Sequence, residues 1–125
     1  MNTDNKKILV AEDDEFLIKA YKAKLEQEGF EILLATDGEE AVSLVNSENP
    51  SVILLDVMMP KISGFEVLET VRKNPATKDI PVIIMSNLGQ ESDVKKGLNL
   101  GAQDYLIKSN LDMDQIVTKI RKYIG

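Results

Sequence analysis

The sequence predicts an α/β fold: a doubly wound sheet of five parallel strands with five helices on its two faces. Three observations predict it. Short runs of Val, Ile and Leu recur without polar interruption, as in Ile8-Leu9-Val10-Ala11, Val52-Ile53-Leu54-Leu55 and Val82-Ile83-Ile84-Met85, which suits strands buried on both faces. Between these runs the apolar period changes to that of a helix. The connections are short, and strands that alternate with helices through short loops assemble into a parallel sheet covered on both sides.

Lys6 and Lys7 lead into the first strand, Ile8 to Ala11, which runs out into Glu12, Asp13, Asp14 and Glu15. A helix follows from Phe16, since Leu17, Ala20, Tyr21 and Leu25 keep an i, i+3, i+4, i+8 stripe and Gly29 supplies a C-terminal cap. Phe30 to Ala35 returns to strand, Thr36-Asp37-Gly38 turns, and Ala41, Leu44 and Val45 stripe a short second helix that stops at Asn49-Pro50. The third strand, from Ser51, ends near Asp56, because Pro60 has no N–H to give to a ladder. A loop through Lys61-Ile62-Ser63-Gly64 leads to a third helix carrying Phe65, Leu68 and Val71, broken at Asn74-Pro75. Pro81 opens the fourth strand, Val82 to Met85, with Ser86 and Asn87 at its exit. A weaker, polar helix around Glu91 to Leu98 ends at Asn99 to Gly101, and the fifth strand, Gln103 to Ile107, exits at Lys108. Met113, Ile116, Val117, Ile120 and Ile124 stripe the last helix, with Arg121 and Lys122 in its final turns, where cations suit the dipole.

Composition narrows the chemistry. At 125 residues and 43% hydrophobic, the chain is expected to be one stand-alone domain over 1–125, with a short polar tail at 1–6 and no effector domain of its own. A net charge of −6, with the 15 Lys and Arg scattered, argues against nucleic acid as a partner. With no Cys there is no disulfide, thiolate metal site or thiol catalysis. With no His the chain lacks the commonest general base and zinc ligand, and carries no phosphohistidine itself. No apolar run approaches the ~20 residues that span a bilayer, so no membrane contact and a cytoplasmic location are expected.

Polar groups gather where strands end: Glu12 and Asp13 after the first, Asp56 after the third, Ser86 after the fourth and Lys108 after the fifth. Only the second lacks one. In the doubly wound order 2-1-3-4-5 the second strand lies at an edge and strands one and three flank the crevice, so this order brings the polar ends to one rim, where ligands of open α/β sheets bind. Three carboxylates in one crevice repel each other, and a divalent cation relieves them. Every available ligand is oxygen, which favours a hard ion such as Mg²⁺, with the backbone carbonyl of Met58 as a candidate to complete the shell. Lys108 and Ser86 beside it would cradle a phosphoryl group, and in the absence of Cys and His the nucleophile left is Asp56, which would become an aspartyl phosphate.

Each residue also has a plainer use. The acids from Glu12 to Glu15 suit the N-terminus of a helix, Asp56 can form a turn, Ser86 can satisfy backbone, and Lys108 can lie on the surface. Met113, Ile116 and Ile120 read as core.

The motifs Ile8-Leu9-Val10-Ala11-Glu12-Asp13-Asp14, Leu54-Leu55-Asp56-Val57-Met58-Met59-Pro60 with Gly64-Phe65-Glu66, Met85-Ser86, and Gly101-Ala102-Gln103-Asp104-Tyr105-Leu106-Ile107-Lys108 resemble, in that order and spacing, the receiver domain of two-component response regulators. The resemblance runs from about Lys7 to Ile124. It implies a flavodoxin-like fold of the stand-alone, chemotaxis-regulator type. It implies that Asp56 accepts a phosphoryl group from a histidine kinase or histidine phosphotransfer protein, that Asp13 and Glu12 hold Mg²⁺ directly or through water, that Lys108 pairs with the phosphoryl and that Ser86 turns toward it. It further implies that Tyr105 swings inward with Ser86 and alters the face of the fourth helix, fifth strand and fifth helix; a core aromatic is the other reading of Tyr105. The downstream target is unnamed by the sequence, and a monomer or a phosphorylation-dependent dimer is expected.

The pattern is broken at three places. Proline in a cis linkage usually follows the family's lysine, and here Ser109 does; a cis bond there would cost about 3 kcal/mol, so the Lys108 loop is free to depart from the family's geometry. Asn87 stands where a small residue is usual. Met58 and Leu88 are apolar at positions that in the family influence attack by water, from which a long-lived phosphoryl is expected. Two rival functions remain: a Mg²⁺-dependent aspartyl-phosphate phosphohydrolase, which would want an acid where Met58 stands, and a degenerate receiver that serves only for docking. The reading adopted is a switch that catalyses its own phosphorylation and is not a turnover enzyme.

Overall fold

The computed structural model describes residues 6–110 and 112–124, so the expected tail at 1–6 lies, Lys6 apart, outside the described residues. In chain order the elements are β1 (Lys7–Ala11), α1 (Glu15–Gln27), β2 (Glu31–Ala35), α2 (Gly38–Glu48), β3 (Val52–Leu55), α3 (Gly64–Lys73), β4 (Val82–Ser86), α4 (Glu91–Asn99), β5 (Asp104–Ile107), a short 3₁₀ turn (Lys108–Asn110) and α5 (Met113–Ile124). The sheet order is β2-β1-β3-β4-β5, and all four pairings are parallel. The doubly wound, flavodoxin-like architecture with order 2-1-3-4-5 is therefore the observed one.

The period of two along the central strands divides the core into two layers. Leu9, Ala11, Ile53, Leu55, Val82 and Ile84 pack on the side of α2, α3 and α4, together with Ala41, Val45, Leu68 and Val71. Ile8, Val10, Val52, Leu54, Ile83 and Met85 pack on the other side against Tyr21 and Leu25 of α1 and Ile116, Val117 and Ile120 of α5. Both faces are covered, so every residue of β3 and β4 is buried, and apart from the terminal Ser86 their sequences read as unbroken apolar runs of large side chains. Each such side chain stabilises the fold by roughly 1.5–3 kcal/mol relative to exposure.

Helix ends explain where the boundaries depart from the sequence reading. At the end of α1, Gly29 takes φ 93°, its N–H reaches the Glu26 carbonyl at 3.0 Å, and the Phe30 N–H reaches the Leu25 carbonyl at 3.1 Å. This Schellman closure occupies the Phe30 N–H, so β2 starts at Glu31 rather than Phe30. Asp56 lies one residue past β3 but still donates its N–H to the Ala11 carbonyl at 3.0 Å, which holds it at the strand's mouth.

Candidate functional site

The carboxyl ends of β1, β3, β4 and β5 open on one rim, and the sequence-predicted residues meet there in two groups. In the first, the Lys108 Nζ lies 2.6 Å from Glu12 Oε1 and 2.8 Å from Asp56 Oδ2. Glu12 is 1% exposed and Asp56 5%, whereas Asp13 faces solvent. Carboxylate oxygens of Glu12, Asp13 and Asp56 all lie within 4.8 Å of one another. The other Asp56 oxygen, Oδ1, accepts from the Met58 N–H at 3.2 Å, and Glu12 Oε2 accepts from the Asp14 N–H at 3.2 Å.

The four-acid run after β1 thus divides its labour. Asp14 is the N-cap of α1, its side chain accepting from the Phe16 and Leu17 N–H groups at 2.9 and 3.2 Å. Glu15 sits in the first turn, where the helix dipole favours acid. The plainer reading therefore holds for Asp14 and Glu15, while Glu12 turns inward.

Electrostatics follow from this crowding. Burial raises the Glu12 pKa, the Lys108 hydrogen bond opposes it, and the Asp56 charge adds to the rise. Burial pulls the Lys108 ammonium down, but its hydrogen bonds to Asp56 and Glu12 outweigh that, and its pKa stands above 10.5. Tyr21, buried on α1, is pushed up to about 12 by burial and then by the Glu12 charge.

The second group is Ser86, Leu88 and Tyr105. Ser86 is wholly buried, and its Oγ accepts from the Leu88 N–H at 3.0 Å. The Tyr105 hydroxyl donates to the Leu88 carbonyl at 2.6 Å, with the ring turned inward. Burial raises the Tyr105 pKa and the Ser86 hydroxyl opposes it. The main chain of Leu88 is therefore the bridge between the two side chains, a role that sequence reading missed because it considered only the Leu88 side chain. A Ser accepting from the N–H two residues on is a common local turn, and that was the available signal.

At the pattern's departures the geometry is plain. No peptide bond among the described residues is cis, so Lys108–Ser109 is trans, and the 3₁₀ turn at Lys108–Asn110 follows while Lys108 still reaches the rim. Asn87 and the Met58 side chain point to solvent, the latter 64% exposed. An all-oxygen set of three close carboxylates, one of them open to solvent, has the donor chemistry of a hard divalent cation site. Among the described residues no helix is long and apolar enough to cross a membrane.

Residues 8–121 match the family model described as response regulator receiver domain. Over 108 residues the chain is 41% identical to the "Probable transcriptional regulator ycf27" of Cyanophora paradoxa, covering 86% of this chain and 44% of that protein. It thus spans less than half the length of that curated relative. The solved Francisella response regulator 1452 receiver domain is 36% identical with a TM-score of 0.88, covering 96% of this chain and 97% of that one. The Mn(2+)-bound form of response regulator Rcp1 is 29% identical with a TM-score of 0.80, covering 94% and 90%. The match of nearly the whole sequence to one family model, with the same fold in a solved receiver domain at 36% identity, makes the chain a member of the response regulator receiver domains of two-component systems.

Proposed function

We propose that the chain is a cytoplasmic phosphorylation switch in which Asp56 accepts one phosphoryl group from the phosphohistidine of a histidine kinase or histidine phosphotransfer protein. An Asp56 carboxylate oxygen forms the new bond to phosphorus as the phosphorus–nitrogen bond breaks and the electron pair returns to the partner's imidazole. The observation that carries this is the position of Lys108, whose ammonium touches Asp56 at 2.8 Å and can follow the charge from the carboxylate to the phosphoryl oxygens.

Glu12, Asp13, Asp56 and the Met58 carbonyl are the groups that would hold Mg²⁺, and the Mn(2+)-bound relative supports a divalent ion here. When bound, the ion supplies positive charge against the phosphoryl oxygens and relieves the carboxylate repulsion. Asp13 is the member of the set open to solvent at the rim, whereas Glu12 is held by Lys108 at 2.6 Å and would have to share that contact with a bound ion. Ser86 and Tyr105 then act as the readout. Once Ser86 Oγ turns to a phosphoryl oxygen it releases the Leu88 N–H, and the Leu88 segment that holds the Tyr105 hydroxyl is free to shift. The affected face is α4, β5 and α5, open to a downstream protein or a second copy.

The chain is not proposed to turn over substrate, since Met58, with its side chain turned to solvent, stands where a phosphohydrolase would want an acid. Nucleic acid is not proposed as a partner of these residues, whose net charge is −6. Incubation with Mg²⁺ and acetyl phosphate tests the reading by intact-mass measurement. One added phosphoryl, absent from Asp56→Asn, is expected. Sustained release of inorganic phosphate in many equivalents would point to a phosphohydrolase, and an unchanged mass to a docking module.

A further inference from the structure

Helix α4 offers the core on this face little side-chain mass beyond the partly buried Val94. Gly97 is its one buried residue, and its N-cap, Gln90, makes no side-chain hydrogen bond. Leu98, next along, is exposed. A glycine inside a helix weakens it, so the absent side chain here answers to packing. A Cβ built on Gly97 would stand 2.8 Å from Cδ2 and 3.2 Å from Cε2 of Tyr105, and 2.8 Å from Cδ1 of Ile84. The Tyr105 ring lies in a notch floored by Gly97, tethered at its far end by the 2.6 Å bond to the Leu88 carbonyl. The Gly97 carbonyl also accepts from the Ala102 N–H at 3.1 Å, which ties the notch to the turn that starts β5. Gly97 is not among the glycines with positive φ, so alanine suits its backbone and only space keeps a side chain out.

We propose that Gly97 is the residue that admits the Tyr105 ring to its inward position, so that the side chain at 97 sets the balance between inward and outward Tyr105 and couples it to α4. Its biological consequence rests on the switch reading of Ser86 and Tyr105. Ile84 Cδ1 is the end of a flexible side chain and can yield to a new methyl group. The ring is fixed by β5 at one end and by its hydroxyl at the other, and yields only by leaving. A methyl group at 97 and an inward ring therefore exclude each other.

The test is a double-mutant cycle of Gly97→Ala and Tyr105→Ala in the whole chain, without any phosphodonor, read by thermal unfolding and by the broadening of the Tyr105 ring-proton resonances by a soluble paramagnetic agent. In the native background Gly97→Ala is expected to lower Tm and to expose the Tyr105 ring, 9% exposed here, so that its ring protons are broadened by a soluble paramagnetic agent. In the Tyr105→Ala background the same change is expected to raise Tm by roughly 4 °C, because helix propensity then acts alone. Equal Tm changes in both backgrounds, or a Tyr105 ring as protected in Gly97→Ala as in the parent, would overturn the proposal. The ring measurement needs only Gly97→Ala and so decides the matter even if Tyr105→Ala does not fold. A chain that takes no phosphoryl but shows the coupling retires the switch reading and leaves the notch; a chain that is labelled at Asp56 but shows no coupling does the reverse.

Discussion

Lys108 Nζ sits closer to Glu12 Oε1, at 2.6 Å, than to Asp56 Oδ2, at 2.8 Å, so the lysine is shared by two acids and favours the one that sequence patterns make secondary. Glu12 nevertheless has a raised pKa, because burial outweighs its bond to Lys108. A group whose folded pKa lies above its unfolded value contributes its stability in full below the unfolded value and loses it as pH rises through the folded one. The Glu12 contribution is therefore lost as pH climbs from its ordinary 4.5, while that of Lys108 is lost only above 10.5. Glu12→Gln, neutral throughout, should lack that downward slope and be at least as stable as the parent near neutrality. Urea midpoints followed from about pH 4 to pH 8 check this, and parallel profiles for the two proteins would sink it.

Lys108→Ala leaves two buried carboxylates facing each other without their cation. A loss of roughly 3–5 kcal/mol of stability is expected without divalent ion, the range for breaking one side of a buried pair. Mg²⁺ should restore more stability to this variant than to the parent, since the ion and the ammonium compensate the same charges. Chemical denaturation with and without Mg²⁺ measures both effects.

Asp13 is the exposed member of the acid set, so Asp13→Asn should fold normally yet lose its response to Mg²⁺. In the parent, Mg²⁺ at 100 times its dissociation constant should add about 2.7 kcal/mol. Equal shifts in parent and variant would place the ion elsewhere.

A phosphoryl on Asp56 should be long-lived, because Met58 and Leu88 offer no group to orient a hydrolytic water. Met58→Asp places a carboxylate two residues from the acceptor on an exposed position and should shorten the lifetime roughly 10- to 100-fold. Decay of the intact phosphorylated mass after removal of the donor gives the rate.

Arg72 on α3 is a structural clamp that no motif announced. Its Nε and Nη2 donate to the Gly101 carbonyl at 3.0 and 2.8 Å, and its Nη1 donates to the Ile80 carbonyl at 2.7 Å. It holds the turn between α4 and β5 against the entry to β4. Arg72→Ala should cost roughly 2–3 kcal/mol, since charge-assisted bonds to partly buried carbonyls are lost together, and Arg72→Lys should recover only part of it.

Element types and order were legible in the sequence because burial on both faces leaves unbroken apolar runs, and helices of one-sided burial leave stripes. Asp56 was legible for the same reason: a carboxylate at the mouth of such a run has no packing explanation. The sheet order followed from asking which strand ended without a polar group. Tertiary structure alone decided which acid Lys108 prefers, since that depends on side-chain reach across two strands nearly a hundred residues apart in the chain. It decided that Asp14 caps a helix while Glu12 turns inward, two outcomes open to any acid in that run. It also decided that the Leu88 main chain joins Ser86 to Tyr105 and that Gly97 makes room for the ring. Backbone groups and missing side chains carry no letter of their own in a sequence, so their partners appear only when the chain is folded.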